Sequence, residues 1–482
     1  MSEIKLELKT ESYPPEILDK LVIVEPLNLM LDNMISESRR VENGYKTFMC
    51  IYIEGLYGSG KTLLMRKFAH ELLKNTKKII PMYIYLGEYD FKLFSILKEY
   101  TNALHNYINL KILRADVTGF PDLWKGRLEI LDESINEVES TKDADENTKF
   151  FNTLQIINKK GYYPAVIFDE FERIIYTGEG LRSDEGIKFF AEFTKRYLEI
   201  TRGHIFSGIF ALVTTFSINE LLKHAIERKA PHVPALSQTL NIDIEKRPDL
   251  FPMISPSIVY DMPIKIKWTK EHLDNLAQKY NIITNLEIVH LIADVLPTPR
   301  AIINIVERAK QYGIARPDER GLITLPDLFT IIKPRYDEFI EKLRDIKING
   351  TFIITPQTKW HENFEELLKN GFYRITRNDY LNIARKLNLK LELKEKIEPK
   401  EEERKMRQKV SGLLHKLSEL GLYTVKGGGL YVLNPQLLAY FLGIDRLPQG
   451  EQATMDNVIN QIKTSIESIR KGRREEVKKE QQ

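Results

Sequence analysis

The sequence predicts an α/β protein in three parts: a parallel sheet covered by helices, a small all-helical domain, and a C-terminal helical unit closed by a β-hairpin. Three observations carry this. Short apolar strands alternate with helices up to Trp268, the pattern of strands buried on both faces. Strand signals then stop, and residues 269–345 keep helical spacing almost throughout. From residue 360 on, three helical patterns precede two short strands around Gly427, Gly428 and Gly429.

In chain order, residues 1–19 read as a loose arm whose opening, MSEIKLELKTESYPPE, is charged and lacks the apolar run of a signal peptide. The base domain is expected over 20–268. In it, NLMLDNMISESRR is a helix leading into a first strand, TFMCIYIEG. A glycine loop follows, then an apolar-periodic helix from Leu63 to Leu73 and a second strand, KIIPMYIYLGEY. Residues 90–160 are mostly helical, with ESTKDADENTK as a polar loop. PAVIFDEFERI is a buried strand with acids at its C-terminal end; HIFSGIFALVTTF and SIVYDMPIKI are two more. A helical domain is expected over 269–346, from EHLDNLAQKY to LPDLFTIIKPRYDEFIEKL. A third domain covers 347–446, and 447–482 hold an amphipathic helix (Met455, Val458, Ile462, Ile466, Ile469) and a charged tail. The isoleucine spacing leaves self-association and docking onto the body equally open. No internal repeat is present.

Composition bounds the class. At 482 residues with 43% hydrophobic and 10% aromatic content, the chain fills real cores and exceeds one ordinary domain. With 71 basic against 68 acidic side chains, any nucleic-acid affinity must come from a local basic face. The single cysteine, Cys50, excludes an internal disulfide framework and points to a reducing compartment. It precedes Ile51 in an apolar strand and reads as a buried, inert thiol. No apolar run approaches the roughly 20 residues of a membrane helix, so a soluble, cytoplasmic protein without membrane partners is expected. Richness in Lys, Glu and Ile leans toward a thermophilic source. Nine histidines and one cysteine make no metal-ligand cluster.

The stretch IYIEGLYGSGKT carries the sharpest chemistry. Gly55, Gly60, Lys61 and Thr62 fit G-x-x-x-x-G-K-[ST], with Gly58 as a further flexible point and Ser59 and Leu63 completing the loop. Glycines let backbone N–H groups close around phosphate oxygens. The following helix offers its positive dipole end. Lys61 would reach the β- and γ-phosphates, and the Thr62 hydroxyl would bind Mg²⁺. A strand before and an amphipathic helix after make this a nucleotide site rather than a plain turn.

Downstream, AVIFDEFE puts Asp169 and Glu170 at a strand end. Asp169 can hold Mg²⁺ through its water shell, and Glu170 can polarise water for in-line attack on the γ-phosphate. Paired acids distinguish an ATP-hydrolysing machine from a kinase that must protect its phosphate. Glu172 reads as a helix-start charge.

Phosphate loop, acidic strand end and helical lid together resemble the AAA+ ATPases, and within them the archaeal and eukaryotic origin-recognition and replication-initiator clade, which also ends in a winged helix. GLYGSGKT and FDEFE are similar as well to phosphate-loop proteins of mobile elements and to STAND signalling ATPases. The resemblance spans roughly residues 20–440 in domain order, with motif-level specificity at about thirty positions. It implies a sensor 1 at the end of FALVTTF, carried by Thr214 or Thr215, with Thr215 preferred, where many members have Asn. It implies a sensor 2 at Arg300, which opens a lid helix after Pro299 and whose guanidinium would read the γ-phosphate. It implies an arginine finger, best placed at Arg228 with Arg247 second, completing ATP in a neighbouring subunit of a homo-oligomer. Residues 229–257 are longer than that connection needs.

The third domain has the order of a winged helix. In its third helix, Met406, Val410, Leu413, Leu414 and Leu417 form a core stripe. Arg404, Arg407, Gln408, Ser411 and His415 fall outward, where a recognition helix meets the major groove. Lys426 sits at the hairpin tip, where a wing touches backbone phosphate. Residues 360–443 hold 15 Lys/Arg against 11 Asp/Glu.

The reading is an ATPase that uses ATP and Mg²⁺ as a slow, regulatory switch and binds double-stranded DNA. The alternative is a STAND-type signalling or defence switch whose C-terminal unit binds a protein partner. A translocating motor lacks an aromatic pore loop here, and a nucleotide kinase has no use for the paired acids.

Overall fold

A computed structural model describes residues 24–86, 92–113, 120–141, 144–174, 176–177, 180–181, 196, 205–215, 262–279, 286–314, 323–348, 351–354, 360–389, 398–426, 429–444, 447, 453–465 and 467. The chain divides into two compact units at Lys267/Trp268.

The first unit is built on one parallel sheet. Helix α1 (Leu27–Glu42) leads into β1 (Phe48–Gly55), the glycine loop, and α2 (Lys61–Asn75). Then come β2 (Ile79–Tyr85), α3 (Leu93–Leu113), α4 (Phe120–Trp124), α5 (Arg127–Glu139), α6 (Glu146–Lys159) and β3 (Tyr163–Asp169). A 3₁₀ turn (Phe171–Ile174) and a ribbon of β4 (Tyr176–Thr177) with β5 (Gly180–Leu181) follow, and β6 (Gly208–Thr214) and β7 (Met262–Ile266) complete the sheet. Strand order is β2-β3-β6-β1-β7, every pairing parallel.

Both faces of this sheet are buried, as a parallel sheet requires. Phe48, Cys50 and Tyr52 join one core with residues of α3, α5 and α6, while the alternating Met49, Ile51 and Ile53 are 0% exposed on the other face. The first core is aromatic: Phe168 and Phe210 meet edge to face at 5.9 Å, and Phe48 meets Phe210 at 5.1 Å. Helix α6 starts where the polar loop was expected, because Asp145 accepts from Asn147 N at 3.0 Å and Thr148 N at 2.9 Å and caps it.

The second unit contains α7 (Lys270–Lys279), α8 (Leu286–Val295), α9 (Pro299–Gln311) and α10 (Leu325–Arg344). Thr324 and Asp327 form a capping box that fixes the start of α10. The two-residue strands β8 (Lys347–Ile348) and β9 (Thr351–Phe352) lie where the third domain was expected to begin. Then come α11 (Trp360–Lys369), β10 (Arg374–Ile375), α12 (Tyr380–Lys386), α13 (Pro399–Glu419), β11 (Tyr423–Lys426), β12 (Leu430–Leu433) and α14 (Pro435–Leu442). The three-stranded sheet β10-β12-β11 beside three helices is a winged helix.

The helical segment and the winged helix share a core within this unit. Tyr336 of α10 lies 6.0 Å from Phe364 of α11 and 5.9 Å from Phe441 of α14, ring to ring. Arg374 Nε pairs with Asp294 Oδ2 at 2.6 Å, tying the wing sheet to α8. The terminal amphipathic stretch is helical over its described residues 455–465 and docks on this body: Val458 and Ile462 are buried, and Asn434 Nδ2 donates to Gln461 Oε1 at 3.2 Å. Ile466 and Ile469 lie outside the described residues.

Candidate functional site

The glycines of the loop do the work the pattern requires. A Cβ on Gly55 would stand 2.8 Å from Ser59 Oγ and 3.1 Å from Ile266 Cβ, so the loop folds back too tightly for any side chain there. Gly60 holds φ +92°, a left-handed conformation open to glycine at little cost, and is the N-cap of α2. No side chain caps that helix, and its first turn contains no acid. Its N–H groups and dipole end are therefore presented to an anion.

Lys61 lies on the inside of the curl. Its Nζ donates to Gly55 O at 2.6 Å, to Leu56 O at 3.2 Å and to Thr215 Oγ1 at 3.3 Å. Burial lowers its pKa below the usual lysine value; the charges of Glu172, Asp169 and Glu170 oppose that, in this order.

Opposite stands Asp169, 1% exposed at the end of β3. Its Oδ2 accepts from Thr62 Oγ1 at 2.8 Å and from the Tyr83 hydroxyl, and its Oδ1 accepts from Glu170 N at 2.9 Å. Burial and the Asp169 charge push the Tyr83 phenol well above its ordinary pKa. Strand order explains the meeting. Because β6 runs between β1 and β3, with Glu54 level with Thr214, the residue after β6 falls between the glycine loop and the acidic strand end. That residue is Thr215, whereas Thr214 is fully buried at the strand end.

Glu170 occupies a strained position, φ +53°, rare for a residue with a side chain. Its Oε2 pairs with Arg173 Nε at 2.7 Å, and burial together with the Glu170 charge raises the Tyr85 phenol above its ordinary pKa. Glu172 corrects the expectation of a helix-start charge. It does open the 3₁₀ turn, yet it is 6% exposed and is the acid with the largest influence on Lys61. The turn folds its side chain inward to the phosphate loop instead of toward solvent.

Thr62 and Asp169 present hard oxygen donors 2.8 Å apart, the donor chemistry Mg²⁺ takes, and the uncapped helix with its lysine fits a polyphosphate. Gly58, at φ +79°, Ser59 and Leu63 sit in the loop and the first turn of α2 as expected. Arg300 opens α9 of the second unit directly after Pro299. Arg228, Arg247 and residues 229–257 lie outside the described residues. Among the described residues there is no cluster of metal-ligating side chains of the His/Cys/Asp/Glu kind, and Cys50 is buried.

On α13, Val410, Leu414 and Leu417 are buried while Met406 and Leu413 are only half so. Gln408 and His415 are exposed, His415 lying 3.4 Å from Glu419, and Ser411 is half-buried. Arg404 lies 3.7 Å from Glu401. Arg407 is held by Glu403 Oε1 at 2.9 Å and the Arg377 carbonyl at 3.0 Å. Lys426 Nζ donates to the Asp294 carbonyl at 3.2 Å.

No protein-family model matches the chain, and no curated protein matches it. Solved structures do. The chain is similar to Cdc6p from Pyrobaculum aerophilum at 13% identity over 94% of this chain and 98% of that one, with a TM-score of 0.40. It is similar to the Aeropyrum pernix ORC2 protein in ADPNP-ADP complexes at 13% identity over 92% and 98%, TM-score 0.39. It is similar to the Aeropyrum pernix ORC1 protein in complex with DNA at 12% identity over 88% and 93%, TM-score 0.36.

Proposed function

We propose that the chain is an ATP-binding and ATP-hydrolysing switch that engages double-stranded DNA through its winged helix, in the manner of a replication initiator or a mobile-element ATPase. The observation that carries the nucleotide half is the convergence of Lys61, Thr62, Asp169 and Thr215 at the ends of β1, β3 and β6. Magnesium, when bound, neutralises charge on the phosphate oxygens, and Thr62 and Asp169 would hold it. Lys61 exchanges its loop carbonyls for phosphate oxygens, a stronger, charge-assisted partnership. Thr215 contacts the terminal phosphate. Glu170 orients the attacking water once its pairing with Arg173 opens, and Arg300 reports the nucleotide to the helical lid. An arginine finger, Arg228 or Arg247, would complete the site in a homo-oligomer.

The DNA half rests on the winged-helix fold and on the exposed polar face of α13. In the structure two of its basic groups are held internally, Arg407 by Glu403 and Lys426 by the Asp294 carbonyl. Both contacts are solvent-exposed and give way readily to phosphate. A gel-shift series with random duplex, with and without a non-hydrolysable ATP analogue, tests this reading. Binding should strengthen with the analogue and fall steeply with salt through counterion release. Absence of binding, or a response flat in salt, contradicts it and favours a switch that binds a protein partner.

A further inference from the structure

The three-stranded wing sheet has two unlike faces. Residues opposite one another in antiparallel pairs share a face, and the side alternates along each strand. Ile375, Tyr431, Tyr423 and Leu433 thus turn inward and are buried. Arg374, Val432, Leu430, Thr424 and Lys426 share the outward face. Arg374, Thr424 and Lys426 are exposed there, yet Val432 between them is 0% exposed, where β12 packs against α8 of the helical segment.

From α8 a single residue collects both basic groups of this face. Asp294 Oδ2 accepts from Arg374 Nε at 2.6 Å, and the Asp294 main-chain carbonyl accepts from Lys426 Nζ at 3.2 Å. A carboxylate beside a carbonyl, met by a guanidinium and an ammonium, offers those cations what a phosphodiester offers: negative charge and several acceptor oxygens. The basic surface continues toward α13. Arg377, exposed in the 3₁₀ turn Arg377–Asp379, lies so near the wing that a Cβ on Gly429 would stand 2.9 Å from its Nε. The Arg377 carbonyl in turn accepts from Arg407 Nη1 of α13 at 3.0 Å. We propose that Arg374 and Lys426 form a backbone-phosphate site for duplex DNA, and that Asp294, reaching over from α8, holds that site in place of the phosphate. DNA and Asp294 then compete for the same two cations, and the helical segment restrains the wing until phosphate displaces it. The inference rests on the DNA reading of the winged helix. It differs from a plain structural ion pair, whose loss would lower stability and leave DNA affinity alone.

The test is fluorescence anisotropy of a labelled random-sequence duplex titrated with the full chain over a salt series. Asp294→Asn keeps the side-chain shape and the main-chain carbonyl and gives up only the charge. It should tighten binding about fivefold at low salt, the upper range for an exposed ion pair, and the gain should fade as salt screens the parent's clasp. In an Arg374→Ala background the same substitution should give no gain, because no guanidinium is left to release. Unchanged or weaker binding by Asp294→Asn overturns the proposal. An equal gain in both backgrounds overturns it too, since Asp294 would then act as a general repulsive charge rather than by holding Arg374. Failure of both the parent and Asp294→Asn to bind duplex contradicts the DNA reading itself, and the proposal with it, an outcome distinct from the other two.

Discussion

Replacing Tyr83 with Phe deletes one hydroxyl and leaves the ring in place. That hydroxyl donates to Asp169 Oδ2, and Arg66 lies over the ring at 5.4 Å, a contact phenylalanine keeps. A hydrogen bond to a charged acceptor contributes about 1.5–3 kcal/mol. Asp169 retains Thr62 Oγ1 at 2.8 Å and Glu170 N at 2.9 Å, so the lower end applies. For a unit of this size each kcal/mol moves Tm by about 2–4 °C, so the nucleotide-free variant should melt about 3–6 °C below the parent. Scanning calorimetry measures it. With saturating Mg²⁺ and a non-hydrolysable ATP analogue the gap should narrow, because in the parent the hydrated cation would compete with that hydroxyl for the Asp169 carboxylate; EDTA should restore it. An unchanged Tm without nucleotide, or a gap indifferent to the metal, refutes this account of Asp169.

Glu170→Gln should keep nucleotide affinity and lose turnover, read by phosphate release; hydrolysis at the parent rate removes Glu170 from the mechanism. Gly60→Ala forces a side chain into φ +92° with its Cβ 3.0 Å from Leu27 Cδ1, and should cost about 1–2 kcal/mol in urea unfolding as well as weaken nucleotide binding. Arg404→Ala and Lys426→Ala should each lower duplex affinity across all sequences and reduce the slope of log affinity against log salt by about one.

Much of this molecule was legible in its residues, and the boundary is physical. Local signals carried far: the β1–loop–α2 unit, the acids ending β3 and the three helices before the wing all lie where periodicity and glycine spacing put them. Pairings distant in sequence did not show. Tyr83 in KIIPMYIYLGEY reads as an ordinary β-former, and only the parallel register of β2 with β3 brings its hydroxyl to Asp169. Glu172 read as a helix-start charge because nothing in FDEFE shows that the 3₁₀ turn after β3 carries its side chain into the interior. One signal was available in hindsight: two residues past Glu170, it falls between apolar Phe171 and Ile174, an unusual place for a solvated acid. The docking of the terminal helix likewise depends on Asn434 and Gly421, neither of which its own sequence announces.

Calorimetric titration of Mg²⁺-ATP into the parent chain and into Lys61→Ala bears most directly on the whole. The parent should bind at one site per chain, and the variant, deprived of the ammonium held at Gly55 O, Leu56 O and Thr215, should show at least a hundredfold weaker binding, about 2.7 kcal/mol. Equal affinity in the two proteins, with the variant folded, would place the phosphates elsewhere.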